Sequence, residues 1–507
     1  MTNTAKSRST ISAANPAANP SAHSAAVELP RPLLSRQADS SLIEQIVQLV
    51  TSRIDDKLLR TGARMPSIRQ FSDEHGVSRF TVVEAYDRLV AGGLLESRRG
   101  SGFYVRDRAP MLALRKSGTP RPSAASSQQL DVVWLVRNMF RQLPAEKMPG
   151  VGSLPNEWLD GDLVGNALRS VSRQNQNMLL QYGTPQGFLP LRQQLQLKMA
   201  ELEISATPDQ IVTTSGVTQA LDLVARHYIQ PGDTIFVDDP AWFLMFGSFA
   251  MLGAKVVGIP RLSDGPDISK LAELAALHRP KLFVINSVLH NPTSTSLSAA
   301  KAFQVLKIAE QYNFMIVEDD IYCDMHPGTS VQAATRIAAL DQLNRVIYLG
   351  GFSKTLAANL RVVFIATSHE IARHLSDRKM LTALTTTEVT ERVVYKVLSE
   401  GHYRKHSDRL RSKLDAIRDK TARQMERIGA RINFNSPAGM FLWTDLGCDT
   451  NLLTEKAMAE GYLLAPGSLF SPSQLPSTNM RFNVAAMGDP GLLRFLERSI
   501  ALIRSKA

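Results

Sequence analysis

A chain of 507 residues exceeds what one hydrophobic core organises, and its 44% hydrophobic fraction suffices for a packed interior, so at least two domains are expected. Its two cysteines, Cys323 and Cys448, stand far apart and without ligand spacing, which argues against a disulfide framework or a metal site. The N-terminus lacks a signal-peptide apolar run and no stretch is apolar for long enough to span a bilayer, so a soluble, cytoplasmic protein with no membrane partner is expected.

The net charge of +11 is not concentrated where nucleic acid would be read. Residues 37–105 hold nine basic and nine acidic side chains, and the excess lies in the first 36 residues, in 106–130 and in the remainder. Any case for DNA must therefore rest on where individual arginines fall.

Residues 1–36, rich in Ala, Asn, Ser and Pro, read as a disordered tail. Next, Ile43, Ile46, Val47, Val50 and Ile54 recur at helical spacing, with Ser40 as the cap. A short helix is expected from Ser67 to about His75, a turn at Gly76-Val77, and a third helix capped by Ser78 whose Val82, Tyr86 and Leu89 share a face before Gly92-Gly93. Leu94 to Ser97 and Phe103 to Val105 read as two strands around a glycine turn, completing a domain over 37–106. Residues 107–130, dense in Ser, Pro and small residues, form a flexible linker.

A recognition helix presents its first turn to base edges while nearby donors clamp phosphates. Ser78, Arg79 and Thr81 occupy that turn, Arg64 and Arg69 can reach backbone oxygens, and Arg98 to Gly102, with Arg99 and Gly100, makes a basic hairpin tip. These residues lie in an ordered set, Pro-Ser-x-Arg, Val-Ser-Arg-x-Thr-Val, Ala-Tyr and Gly-Ser-Gly, that resembles the GntR class of bacterial winged helix-turn-helix regulators across residues 42–105. The resemblance implies contacts with double-stranded operator DNA at Arg69, Ser78, Arg79, Thr81 and Gly100.

Beyond the linker, over 131–507, strands at Thr234 to Val237, Lys281 to Asn286, Phe314 to Glu318 and Arg345 to Leu349 alternate with helical segments, as in a largely parallel α/β sheet. The charged stretch Tyr403 to Ile428 reads as a helix with a solvated face.

Pyridoxal 5'-phosphate demands an amine, a carboxylate for its pyridine nitrogen, donors for its ring oxygen, a phosphate cup and an aromatic plate. Lys354, in Gly351-Phe352-Ser353-Lys354, follows an apolar strand where burial would free its amine for a Schiff base. Asp319 ends another strand and suits the ring nitrogen, while Asn291 and Tyr322 suit the ring oxygen. Ser215 to Thr218 opens a helix, so Gly216, Val217 and Thr218 offer amides to a phosphate, joined by Ser353 and Arg361. Trp242 is the plate.

In this order and spacing, residues 145–500 resemble fold-type I PLP-dependent aminotransferases. That likeness implies that Tyr182, in Tyr182-Gly183-Thr184-Pro185-Gln186-Gly187, reaches the phosphate of a neighbouring subunit in a domain-swapped homodimer. It also implies that Arg481 holds a substrate or effector carboxylate, with a structural ion pair as the alternative. With the winged helix in front, the whole chain resembles the MocR subfamily, dimers that bind pyridoxal phosphate and use it, with a small amino compound as effector, to control transcription.

Two positions depart from the pattern: Gly351 stands where a phosphate-binding Ser or Thr is expected, and Ser294 where a glycine follows Asn291-Pro292-Thr293. Loss of one hydrogen bond to a charged group, about 1.5 to 3 kcal/mol, predicts weaker cofactor binding, and Ser294 is expected to stiffen or displace the Asn291 loop. The leading expectation is a regulator using an aminotransferase-like domain as a sensor. The competing ones are an active aminotransferase, amino acid to 2-oxo acid, that also carries a DNA-binding module, and a regulator whose cofactor site has decayed.

Overall fold

The computed structural model describes residues 34, 40–106, 132–141, 143–174, 176–327, 334–434 and 436–505. The expected tail and linker thus lie outside the described residues, apart from residue 34. Contacts divide the chain into two compact units, one within Met1–Ser127 and one within Gln128–Ala507.

In the first unit, three helices, α1 (Leu42–Asp55), α2 (Ile68–His75) and α3 (Arg79–Ala91), precede a hairpin of β1 (Leu95–Arg98) and β2 (Gly102–Val105). Ser67 and Ser78 cap α2 and α3 as their spacing requires. The cap of α1 is Ser41 rather than Ser40. Its hydroxyl accepts from the Glu44 amide while the Glu44 carboxylate accepts from the Ser41 amide, a reciprocal pair that Ser40 is one residue too early to make. Ile46, Val50, Phe71, Val82, Tyr86 and Leu89 bury together, and Tyr86 donates to the Pro66 carbonyl at 3.1 Å, tying α3 to the approach of α2.

The second unit is built on an eight-stranded sheet: β3 (Ile211–Ser215), β4 (Thr234–Asp239), β5 (Lys255–Leu262), β6 (Gly265–Pro266), β7 (Leu282–Ile285), β8 (Met315–Asp319), β9 (Val346–Gly351) and β10 (Val362–Ala366). Its order is β3-β10-β9-β8-β7-β4-β5-β6. The strands from β9 to β5 are parallel, as their apolar runs suggest, while β10 runs against both neighbours. Alternate residues feed two apolar clusters, so Val237, Val284, Val317 and Leu349 join one and Phe236, Phe283, Ile316 and Tyr348 the other. Helix α4 (Val217–Tyr228) follows β3 directly.

A 26-residue helix, α5 (His402–Arg427), leads to an antiparallel sheet of β11 (Arg431–Ile432), β12 (Phe441–Asp445), β13 (Ala465–Pro466) and β14 (Asn479–Asn483). The charged sequence of α5 does have a solvated face. Its other face buries Tyr403, His406, Leu410, Leu414, Arg418, Thr421 and Met425 at three- and four-residue steps. Among the described residues no helix is long and apolar enough to cross a membrane.

The α1 cap gives a direct comparison. Ser41→Ala is expected to lower protection of the first-turn amides of α1 in hydrogen exchange by about 1 kcal/mol, while Ser40→Ala leaves it unchanged. Equal effects would mean that the Glu44 pairing does not hold the helix end.

Candidate functional site

Loops leaving β4, β7, β8 and β9 meet at one edge of the large sheet, where open parallel sheets bind ligands. An open cleft lies there, walled by Val217, Thr218, Trp242, Asn291, Asp319, Tyr322, Ser353, Lys354 and Arg361. Residues separated by up to 144 positions are thus brought to one place, in the arrangement that their order along the chain suggests.

Lys354 follows the end of β9 by three residues, and its Nζ donates to the Gly152 carbonyl at 2.7 Å. Burial, reinforced by the charges of Arg481 and Arg361, lowers the amine to about 8 against the pull of Asp319. Burial raises Asp319 to about 7, with the Ile321 amide, 3.2 Å away, and Lys354 opposing and Asp320 adding. A protonated pyridine nitrogen beside Asp319 would draw that carboxyl back towards its ordinary range.

The phosphate side shows donors without an acceptor. Gly216 caps α4 at φ 92, leaving the first amides of the helix open. A Cβ at 216 would stand 2.0 Å from Nη2 of Arg361, so glycine is what lets that guanidinium, which donates to the Ser215 carbonyl at 3.0 Å, close over the helix end. Among the described residues the buried Ser353 hydroxyl has no hydrogen-bond partner. These groups fit a phosphate, and with Lys354, Asp319 and Trp242 they would hold pyridoxal phosphate, which supplies an aldehyde open to attack by amines and an electron-withdrawing ring.

Gly351 has a steric cause. It pairs with Val363 across β9 and β10, and a Cβ there would lie 2.5 Å from Cγ2 of Val363. The side chain of Val363 fills the space through which a hydroxyl would have to leave the strand.

Arg481 on β14 is fully buried, and the ion-pair alternative for it does not hold: among the described residues it meets no carboxylate. Nη1 donates to Oδ1 of Asn291 at 2.8 Å, Nη2 to the Gly150 carbonyl, and Nε has no partner. The guanidinium lies 4.6 Å from the Phe441 ring centre and 4.8 Å from that of Phe470. Burial lowers it to about 10, which still leaves it a cation at neutral pH.

Asn291 also donates to the Tyr322 hydroxyl at 3.2 Å, so Arg481, Asn291 and Tyr322 form one hydrogen-bonded chain. Ser294 fixes the turn carrying it. Although its φ is 58, a region that favours glycine, its hydroxyl donates to the Phe441 carbonyl at 3.0 Å and accepts from the Phe441 amide at 3.1 Å. Arg418 of α5 donates to the same carbonyl at 2.8 Å. Gly439 makes room, since a Cβ there would come within 2.7 Å of the Ser294 hydroxyl.

Several residues have no signal in sequence. Asn286 accepts from the Asn291 amide at 2.7 Å and donates to the Asp319 carbonyl, setting two site loops against each other. Asn483 donates to the carbonyls of Val151 and Ser153, holding the segment whose Gly152 meets Lys354. At the cleft wall a buried pair, Arg261 and Asp238 at 2.8 Å, supports the 290–295 turn through a 3.2 Å bond from Arg261 to Thr295. Tyr182 is 82% exposed and is not among the residues lining the cleft.

In the first unit, Arg64, Arg69, Ser78, Arg79, Arg99 and Gly100 are exposed and Thr81 partly so. The Ser78 hydroxyl accepts from the Thr81 amide at 3.0 Å and shares a 2.7 Å bond with the Thr81 hydroxyl, so both are engaged in capping. Arg69 makes a long, exposed pair with Asp73 at 3.9 Å. Arg98 is held by Glu96 and stacks 4.5 Å over Tyr104, leaving Arg99 and Gly100, at φ 76, on the hairpin tip.

A DNA-reading unit of winged-helix form followed by a fold-type I aminotransferase unit is the class that this geometry defines. Residues 151–498 match the aminotransferase class I and II family, to which the chain belongs, and residues 42–105 match the bacterial regulatory proteins of the gntR family. The chain is 31% identical over 367 residues to aromatic-amino-acid aminotransferase 1 of Thermococcus litoralis, covering 70% of this chain and 87% of that protein. It is 27% identical over 387 residues to the probable rhizopine catabolism regulatory protein MocR of Rhizobium meliloti, covering 75% and 76%. Among solved structures, Pyrococcus horikoshii kynurenine aminotransferase in complex with PMP superposes with a TM-score of 0.67 at 26% identity, over 73% of this chain and 94% of that one. The combination is that of the MocR-type regulators.

Two measurements check this site. Gly351→Ser is expected to destabilise the protein by about 1 to 3 kcal/mol through overpacking against Val363, whereas Gly351→Ser with Val363→Ala should bind pyridoxal phosphate about tenfold more tightly, read by absorbance titration. Arg481→Met removes the cation that helps depress Lys354, so the pH at which Lys354 becomes reactive to reductive methylation, near 8 in the parent, should move upward. An unchanged profile by peptide mass mapping would leave burial and Arg361 as the causes.

Proposed function

We propose that this chain is a cytoplasmic, DNA-binding transcriptional regulator whose aminotransferase unit holds pyridoxal phosphate and senses a small amino compound carrying a carboxylate. One observation carries the reading: among the described residues Arg481, buried, has no counter-charge and no partner on Nε, in the same constellation as a Lys354 amine lowered to about 8. A ligand with both a carboxylate and an amine satisfies the cation and competes for the carbonyl carbon that Lys354 would otherwise hold. In this reading Arg64, Arg69, Arg79 and Arg99 supply phosphate contacts, with Ser78, Thr81 and Gly100 at the same surface.

The ligand controls DNA binding to the extent that it prefers one arrangement of the protein over another. A second copy of the chain completes the cleft in this proposal. Leu179, Leu180, Tyr182, Leu381 and Leu384 are large apolar side chains exposed to water, and Tyr182 is the residue expected to reach the neighbouring phosphate. The retained set of Lys354, Asp319 and Arg481, with the 31% identity to an aminotransferase, favours as a second reading a working transaminase that also carries a DNA-binding module.

The test is made on the full chain with pyridoxal phosphate and a panel of amino acids. Borohydride reduction should label the Lys354 peptide, and an effective amino acid should suppress that label and alter affinity for a bound promoter fragment. Arg79→Ala should weaken DNA binding at least tenfold and leave the label intact. Sustained 2-oxo acid release at ordinary turnover rates would favour the enzyme reading, and no label at saturating cofactor would overturn the sensor.

A further inference from the structure

The first turn of α3 carries a side chain that neither capping nor charge explains. Phe80, the second residue of the helix, is 76% exposed, and Val83, one turn on and therefore on the same face, is 36% exposed. The core of this unit is made by the other face, Val82, Ala85, Tyr86 and Leu89, so packing within the unit does not require an aromatic at 80. An aromatic ring held in water is unfavourable unless something covers it.

The surroundings indicate what that is. Arg79 precedes Phe80, Arg64 and Arg69 are exposed in the same unit, and Arg99 stands on the hairpin tip, a set of cations suited to phosphates. Further along the helix the character reverses: Glu84 pairs with Arg88 at 3.3 Å and Asp87 is exposed, about 10 Å beyond Phe80 along the axis. Carboxylates there are repelled by a phosphate backbone, so the first turn enters a groove and the later turns stay out of it.

Arginines can both clamp phosphates and read guanine, but a phenyl ring has no donor or acceptor. The apolar feature that base edges display in the major groove is the thymine 5-methyl group. We propose that Phe80, backed by Val83, reads thymine methyl groups, making these two residues specificity determinants of the operator. This rests on the reading that residues 42–105 bind duplex DNA through α3.

The experiment selects duplexes from a random pool with the full chain, then replaces each thymine of a selected duplex by deoxyuridine, which removes the methyl group alone. Burial of one methyl predicts about a fourfold loss of affinity at one or two positions per half-site for the parent. Phe80→Ala should bind the thymine duplex less tightly and be indifferent to deoxyuridine at those positions, with the slope of affinity against salt preserved. Exposure of the ring means that this variant folds as the parent does. Parent binding that no deoxyuridine weakens by more than twofold overturns the assignment of Phe80, as does a Phe80→Ala protein with unchanged deoxyuridine sensitivity. A change in oligomeric state of DNA-free Phe80→Ala, with sensitivity retained, assigns the ring to a second copy and equally overturns it. Failure of the parent to retain any duplex at low salt removes the DNA reading itself, and this proposal with it.

Discussion

Burying a guanidinium without a carboxylate is unfavourable by several kcal/mol unless dipoles replace the water it has lost, and the larger unit is arranged to provide them around Arg481. The Gly150 carbonyl and the Asn291 amide oxygen accept two of its nitrogens, and the faces of Phe441 and Phe470 carry part of its field. Asn291 spends its oxygen on Arg481 and its nitrogen on Tyr322, so the two residues expected at a ring oxygen are oriented by the residue expected at a carboxylate. The same charge lowers the Lys354 amine.

Much of this was legible along the chain. Lys354, Asn291 and Trp242 are recognisable because each follows a strand end closely, Asp319 because it ends a strand, and Arg361 by its spacing from Lys354, all of them local quantities. The cap at Ser78 was legible from its local sequence, while Ser67, read as the first residue of its helix, is the cap one position before it. Helix α1 shows the limit of such reading, because Ser40 and Ser41 are both chemically competent and only the position of Glu44 decides between them.

What could not be read depends on contacts between distant segments. Gly152 lies 202 residues before the lysine whose amine it receives, and Asn483 reaches back more than 300 positions to hold that segment. The reversed strand β10 lies beside both β9 and β3, and the choice of Val363 over a smaller residue decides what position 351 can be. Phe80 escaped notice for the opposite reason: an apolar residue in an amphipathic pattern is assigned to a core by default, and only the fold shows that its face has no core to join.

The clasp at Ser294 constrains how the cleft can move. One hydroxyl holds both the amide and the carbonyl of a single residue, Phe441, so any translation of β12 along the 291–295 turn breaks both bonds together. Sliding of the second sheet past this turn therefore loses two hydrogen bonds in one step, and the Arg481 bond to Asn291 adds a second tie to the same turn.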